Sequence, residues 1–163
     1  MGSKKRFDLF SRLIHDVFTP KQYPSIADIA GGKGYLQLSL REKGFQNVTT
    51  FDKRKKNKRV SDQKIRFSYR YFNEQIKEKF DLLVGLHPDE ATDVIIMEAA
   101  KRRIPFVLCP CCVKPSAVTY WGSHKFTAWV NHLKKLARSN GFRIEERWLK
   151  MDGKNYVLIG IPI

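Results

Sequence analysis

A chain of 163 residues that is 42% hydrophobic and 12% aromatic carries enough apolar side chain for a sizeable core, which excludes a disordered protein. No apolar run nears the roughly 20 residues of a membrane span, and three cysteines confined to positions 109, 111 and 112 exclude a disulfide framework. The formal net charge of +15, from 31 Lys and Arg against 16 Asp and Glu, sets up a field that attracts polyanions. These features predict a soluble intracellular protein, cytoplasmic or nuclear, with reduced thiols. A single domain over 1–163 is expected, with 1–22 as an N-terminal helix and lead-in.

The first predicted element is a helix over 7–18. Its apolar residues Phe7, Leu9, Phe10, Leu13, Ile14, Val17 and Phe18 recur on one face. Thr19-Pro20 stops it, and Tyr23-Pro24 leads into a strand over 26–30. Gly31-Gly32-Lys33-Gly34 breaks that strand, and a helix over 34–43 follows, closed by Gly44 as a C-cap. A second strand, 48–52, ends on Asp52. Weak alternation predicts a third strand over 65–72, followed by a short polar helix over 73–79. The near-continuous apolar run 80–86 suits a central parallel strand buried on both faces. Asp89 is placed to cap a helix over 90–103. A fifth strand covers 105–109, a loop runs to Gly122, and a helix over 123–140 is closed by Gly141. Strands over 142–149 and 156–161 flank Asp152-Gly153, the turn chemistry of a hairpin.

Strands alternating with helices, then a terminal antiparallel hairpin, predict an α/β fold. The expected sheet is Rossmann-like, seven-stranded and mostly parallel, with helices on both faces. Ligands of such sheets lie beyond the carboxyl ends of the strands. Residues 30–35, 52–54, 87–90 and 110–115 are therefore the segments where a site is expected.

The glycine turn lets the backbone approach a ligand closely, and Asp52 lies about 20 residues on, where a carboxylate meets ribose hydroxyls. Glycines at 31, 32 and 34 do not make the G-x-G-x-x-G spacing, which argues against a dinucleotide and its pyrophosphate. Six cations in seven positions, 53–59, follow the second strand on this same edge.

Gly32-Lys33-Gly34-Tyr35-Leu36, Gly85-Leu86-His87 and Pro110-Cys111-Cys112 occur in this order, each at a predicted strand end. With these blocks the sequence resembles the class I S-adenosylmethionine-dependent methyltransferases. It is similar in particular to the subgroup that includes the eukaryotic tRNA 2′-O-methyltransferases of the acceptor stem. Asp28-Ile29-Ala30-Gly31-Gly32-Lys33-Gly34 resembles the class's first motif, departing from it at Ala30, where glycine is usual. After Leu86-His87 the subgroup commonly continues with Cys-Gly, where Pro88-Asp89-Glu90 stands here. The sequence carries no zinc-finger module of the kind that accompanies the tRNA enzymes.

The resemblance implies S-adenosylmethionine as cofactor, held by Asp28, Ala30, Gly31, Gly32, Gly34, Tyr35, Leu36, Asp52, Lys53 and His87. Asp28 would help orient the methionine amine, and Lys33 would shape the turn or face solvent. Pro88, Pro110, Cys111 and Cys112 would shape the acceptor pocket, with His87 or Asp89 accepting the acceptor's proton. No metal is expected: cysteine is among the residues most often buried, and adjacent cysteines diverge on an extended chain.

Lys53, Arg54, Lys55, Lys56, Lys58 and Arg59 would grip RNA phosphates, and Trp121 would stack on a base. Phe126 and Trp129 are read as packing on the last helix. The expected function is methyl transfer to tRNA or another structured RNA, with a protein partner supplying specificity. The alternatives are a catalytically reduced RNA-binding or partner protein, and a protein or small-molecule methyltransferase.

Overall fold

The computed structural model describes residues 2–54, 65–113 and 125–163. Its helices are α1 (Gly2–Val17), α2 (Tyr35–Glu42), α3 (Thr92–Arg102) and α4 (Lys125–Ser139). Its strands are β1 (Ser25–Ile29), β2 (Asn47–Phe51), β3 (Arg66–Ser68), β4 (Leu82–Leu86), β5 (Phe106–Cys109), β6 (Phe142–Trp148) and β7 (Tyr156–Pro162). The strands form one sheet in the order β3-β2-β1-β4-β5-β7-β6. β7 runs antiparallel to both β5 and β6, and the remaining pairs are parallel. The expected α/β sheet with its terminal hairpin is therefore present.

Two-residue periodicity sends alternate side chains to opposite faces, and each face is covered by its own helices. Ile26, Leu82, Val84, Val107 and Val157 pack with Phe10 and Ile14 of α1 and Leu36 and Leu40 of α2. Ala27, Leu83, Phe106, Leu108 and Leu158 pack on the other face with Ile95 and Ile96 of α3 and Trp129 and Leu133 of α4. Each fully buried Leu, Ile or Phe contributes about 1.5–3 kcal/mol. The central strands are covered on both sides, which is why 82–86 reads as an unbroken apolar run. No helix among the described residues is long and apolar enough to cross a membrane.

Three expectations are corrected. Residues 73–79 form turns instead of a helix. Ile76 is buried there, and Arg102 of α3 donates to the carbonyls of Asn73, Ile76 and Glu78, so these three carbonyls are satisfied from outside the segment. The third strand spans only Arg66–Ser68. Asp89 does not cap a helix with its side chain: it opens a short 3-10 turn, Asp89–Ala91, with a left-handed φ of 50°. Its backbone carbonyl instead accepts from Thr92 Oγ1 at 2.7 Å.

The chain steps from β1 to β2 and β3 on one side, then crosses to β4 on the other. That reversal opens a crevice beyond the carboxyl ends of β1 and β4, and the glycine turn, Asp52 and the segment after Leu86 all border it.

Candidate active site

The floor of the site is a buried polar network. Asp28 of β1 stands level with Thr50 of β2 in the parallel register, and Thr50 Oγ1 donates to Asp28 Oδ2 at 2.9 Å. Gln37 of α2 donates to Thr50 Oγ1 at 2.9 Å and to the Arg66 carbonyl at 2.8 Å, and accepts from the Arg66 N–H. One glutamine thus ties α2 to β2 and β3. Asp28 Oδ1 is buried and has no partner. Burial pushes the Asp28 carboxyl up to about 7; the Thr50 bond opposes this and the Asp52 charge adds to it.

Above the network lies the glycine turn. A Cβ on Gly31 would fall within the Asp28 carboxylate, so glycine is required for the turn to close over that group. Ala30 adopts a left-handed φ of 55°. A conformation that glycine takes freely here costs an L-residue roughly 1–2 kcal/mol, which gives the departure at Ala30 a physical price. Gly34, at φ 91°, starts α2, whose first turn leaves backbone N–H groups for an anion.

Asp52 sits at the end of β2, 3% exposed. It accepts from the Gly32 N–H at 2.9 Å, the Arg54 N–H at 2.9 Å, and Arg54 Nε and Nη2 at 2.9 and 2.7 Å. Burial pushes this carboxyl up, but the bonds from Arg54 and Gly32 outweigh it and hold it below the ordinary value. Arg54 therefore occupies both carboxylate oxygens that a ribose would use. Lys53 lies against Tyr71, its ammonium 4.6 Å from the ring centre.

A cavity of about 920 Å³ opens beside Ala30 and Asp52; Asp28, Gly31, Gly32 and Gly34 are not among its lining residues. Ala30, Asp52, Lys53, Arg54, Pro88, Asp89 and Cys112 line it, with Tyr71, Phe72 and Val94 as apolar wall. Residues from the ends of β1, β2, β4 and β5 are thereby brought together as expected. His87 is not among them. Its φ of 52° turns it to a second cleft of about 480 Å³, lined also by Lys5, Arg6, Lys150 and Lys154. There His87 Nε2 lies 2.8 Å from the Lys154 carbonyl. A carbonyl only accepts, so the proton is on Nε2 and Nδ1 is the acceptor nitrogen of the neutral ring.

The Leu36 side chain is buried in the core, so only its backbone can face a ligand. Tyr35 turns to Phe7 of α1, with ring centres 5.5 Å apart, and is not part of the cavity wall. Lys33 is exposed. Trp129 is buried against β5 and β7 residues, and Phe126 packs beside it. Lys55, Lys56, Lys58, Arg59 and Trp121 lie outside the described residues.

The cysteines depart from expectation. Pro110 is buried. After it the chain is not extended, and Cys111 and Cys112 converge, with 3.5 Å between their sulfurs. Cys111 Sγ lies 3.2 Å from Asp89 Oδ1 and Cys112 Sγ 3.7 Å from the same oxygen. Burial, then the Asp89 carboxylate, pushes the Cys111 thiol up to about 12. Sequence spacing missed this grouping because Asp89 is far away along the chain. It also missed Gln37, Tyr71 and the Lys5, Arg6, Lys150 and Lys154 group. Thr50 alone had a signal, a polar residue at the level of Asp28 in the next strand.

A family model described as a methyltransferase domain matches residues 4–116. No curated protein matches the sequence significantly. Among solved structures, DesVI of Streptomyces venezuelae has a TM-score of 0.66 at 12% identity, covering 99% of this chain and 94% of that one. The methyltransferase domain of bacterial CtHen1-C has 0.64 at 16% identity, with 99% of each chain covered. Human N-acetylserotonin methyltransferase, in complex with SAM, has 0.61 at 15% identity, covering 98% of this chain and 53% of that one. At these identities the likeness is one of fold.

Proposed function

The chain belongs to the methyltransferase-domain family, whose model spans residues 4–116, and from that premise we propose an S-adenosylmethionine-dependent methyltransferase acting on RNA. The observation that carries the reading is the convergence of Ala30, Asp52 and Asp89, from three strand ends, on one cavity at the switch point. The residues fit the cofactor. Asp28 offers an unpartnered buried oxygen beneath a turn that a Cβ would block, Asp52 offers a carboxylate to ribose, and the first turn of α2 offers N–H groups to a carboxylate. Tyr71 and Phe72 offer an apolar wall to a base.

The sulfonium supplies an already activated methyl group. What remains for the chain is to hold the acceptor in line and to exclude water. Of the two expected proton acceptors, His87 faces the second cleft with Nε2 held by the Lys154 carbonyl, and only Asp89 borders the cofactor cavity, where an acceptor in line with the methyl would sit.

Support for RNA comes from charge. The net charge is +15, Lys53 and Arg54 stand at the cavity, and Lys5, Arg6, Lys150 and Lys154 surround His87. Phosphates are the ligands such surfaces hold best. A tRNA or another structured RNA, with a partner protein adding specificity, fits this small basic domain. Two observations favour a second reading, a catalytically reduced RNA-binding protein: the left-handed Ala30 and Arg54 on Asp52.

Calorimetry with S-adenosylmethionine, followed by labelled-methyl transfer to total RNA and to total protein, decides between them. Cofactor binding with label in RNA is expected. Absence of binding at millimolar cofactor overturns the enzyme reading, and label in protein with RNA unlabelled overturns the substrate class.

A further inference from the structure

We propose that Asp89, Cys111 and Cys112 form a binding site for a thiophilic divalent cation, with zinc the best match. The three side chains come from two loops, one after β4 and one after β5, and their donor atoms all lie within 4.8 Å of one another. The spacings suit a tetrahedral ion. With metal–sulfur bonds of about 2.3 Å and metal–oxygen bonds of about 2.0 Å, a tetrahedron sets sulfurs about 3.8 Å apart and each sulfur about 3.5 Å from the oxygen. The observed separations are 3.5 Å between sulfurs, and 3.2 and 3.7 Å from sulfur to Asp89 Oδ1. Three donors therefore already occupy one face of the coordination polyhedron.

The donor set is also chemically selective. Two thiolates favour zinc and its softer relatives over magnesium or calcium, which take oxygen ligands. On binding, two S–H bonds are replaced by two metal–sulfur bonds and both protons leave to solvent. The neighbouring Arg54 guanidinium, 3.9 Å from Asp89 Oδ2, contacts the oxygen that the cation does not need. Asp89 and Cys112 both border the large cavity, so the fourth position faces it. Three protein ligands with an open fourth position is the pattern of sites where water or a substrate oxygen completes the shell. The site holds whatever the acceptor of the methyl group is, because cation binding is read without cofactor or substrate.

The test uses the full chain, reduced and stripped of metal, titrated with cobalt(II) and then zinc. One equivalent should bind with thiolate-to-cobalt charge-transfer absorption, and zinc should abolish that band. Cys111→Ser and Cys112→Ser should each remove most of it. Asp89→Asn, at an exposed position, should weaken zinc at least about tenfold in competition with a chromophoric chelator. Should Cys111→Ser fail to fold, the exposed Cys112→Ser variant decides, with circular dichroism confirming its fold. No charge-transfer band in the wild type overturns the proposal. So does zinc affinity unchanged in Asp89→Asn or in Cys112→Ser.

Discussion

Replacing Asp28 by Asn should change how stability depends on pH more than it changes stability itself. The carboxyl is fully buried, and burial, the largest cause, moves it from an ordinary 3.8 to about 7. The folded chain keeps this proton between 3.8 and about 7, a window in which the unfolded chain has lost it. A state that binds more protons loses ground as pH rises. The contribution of Asp28 is therefore most favourable below 3.8, falls by about 1.4 kcal/mol per pH unit through the window, and is level above it. The whole span is about 4 kcal/mol. Asn keeps the shape and still accepts from Thr50, but does not ionise. Urea unfolding of both proteins should show the variant gaining about 2.5 kcal/mol on the wild type between about pH 5 and pH 8. The comparison cancels the oppositely shifted carboxyls such as Asp52, which both proteins share. A difference constant within about 0.5 kcal/mol would mean that the carboxyl ionises freely and that the buried network is mispaired.

Four further outcomes follow from the same geometry. Ala30→Gly should raise stability by about 1 kcal/mol by relieving the left-handed conformation, and an unchanged urea midpoint would refute the strain. Gly31→Ala should cost about 2–3 kcal/mol, because its Cβ enters the space of the immobile Asp28 carboxylate; a loss under about 0.5 kcal/mol would show that the turn can shift. Asp52→Asn should weaken S-adenosylmethionine at least about tenfold by calorimetry, through loss of a charged acceptor for ribose hydroxyls. Arg54→Leu should instead tighten it about fivefold. The half-exposed Arg54 makes a pair worth no more than about 1 kcal/mol, and that pair must open for ribose to bind; weaker binding would show that Arg54 helps to hold the cofactor.

Most of the architecture is legible along the chain because its causes are local. Alternation, apolar runs and turn residues act between neighbours, and so the parallel core and the terminal hairpin could be read from 26–30, 80–86 and Asp152-Gly153. The 73–79 segment misled because its apolar and polar order suits a short helix, while the partner that satisfies its carbonyls, Arg102, arrives from α3. The glycine turn was legible for the same local reason: only glycine tolerates its closeness to Asp28.

The sequence by itself determined the sheet, the edge at which the strand ends converge on a cavity and the excess of positive charge. Tertiary structure alone decided what meets at that edge. Left-handed angles at His87 and Asp89 send two residues of one short segment into different clefts. The fold also carries Cys111 and Cys112 to Asp89 and lays Arg54 across Asp52. Such meetings depend on single backbone angles and on chain segments distant in sequence, and no periodicity encodes either.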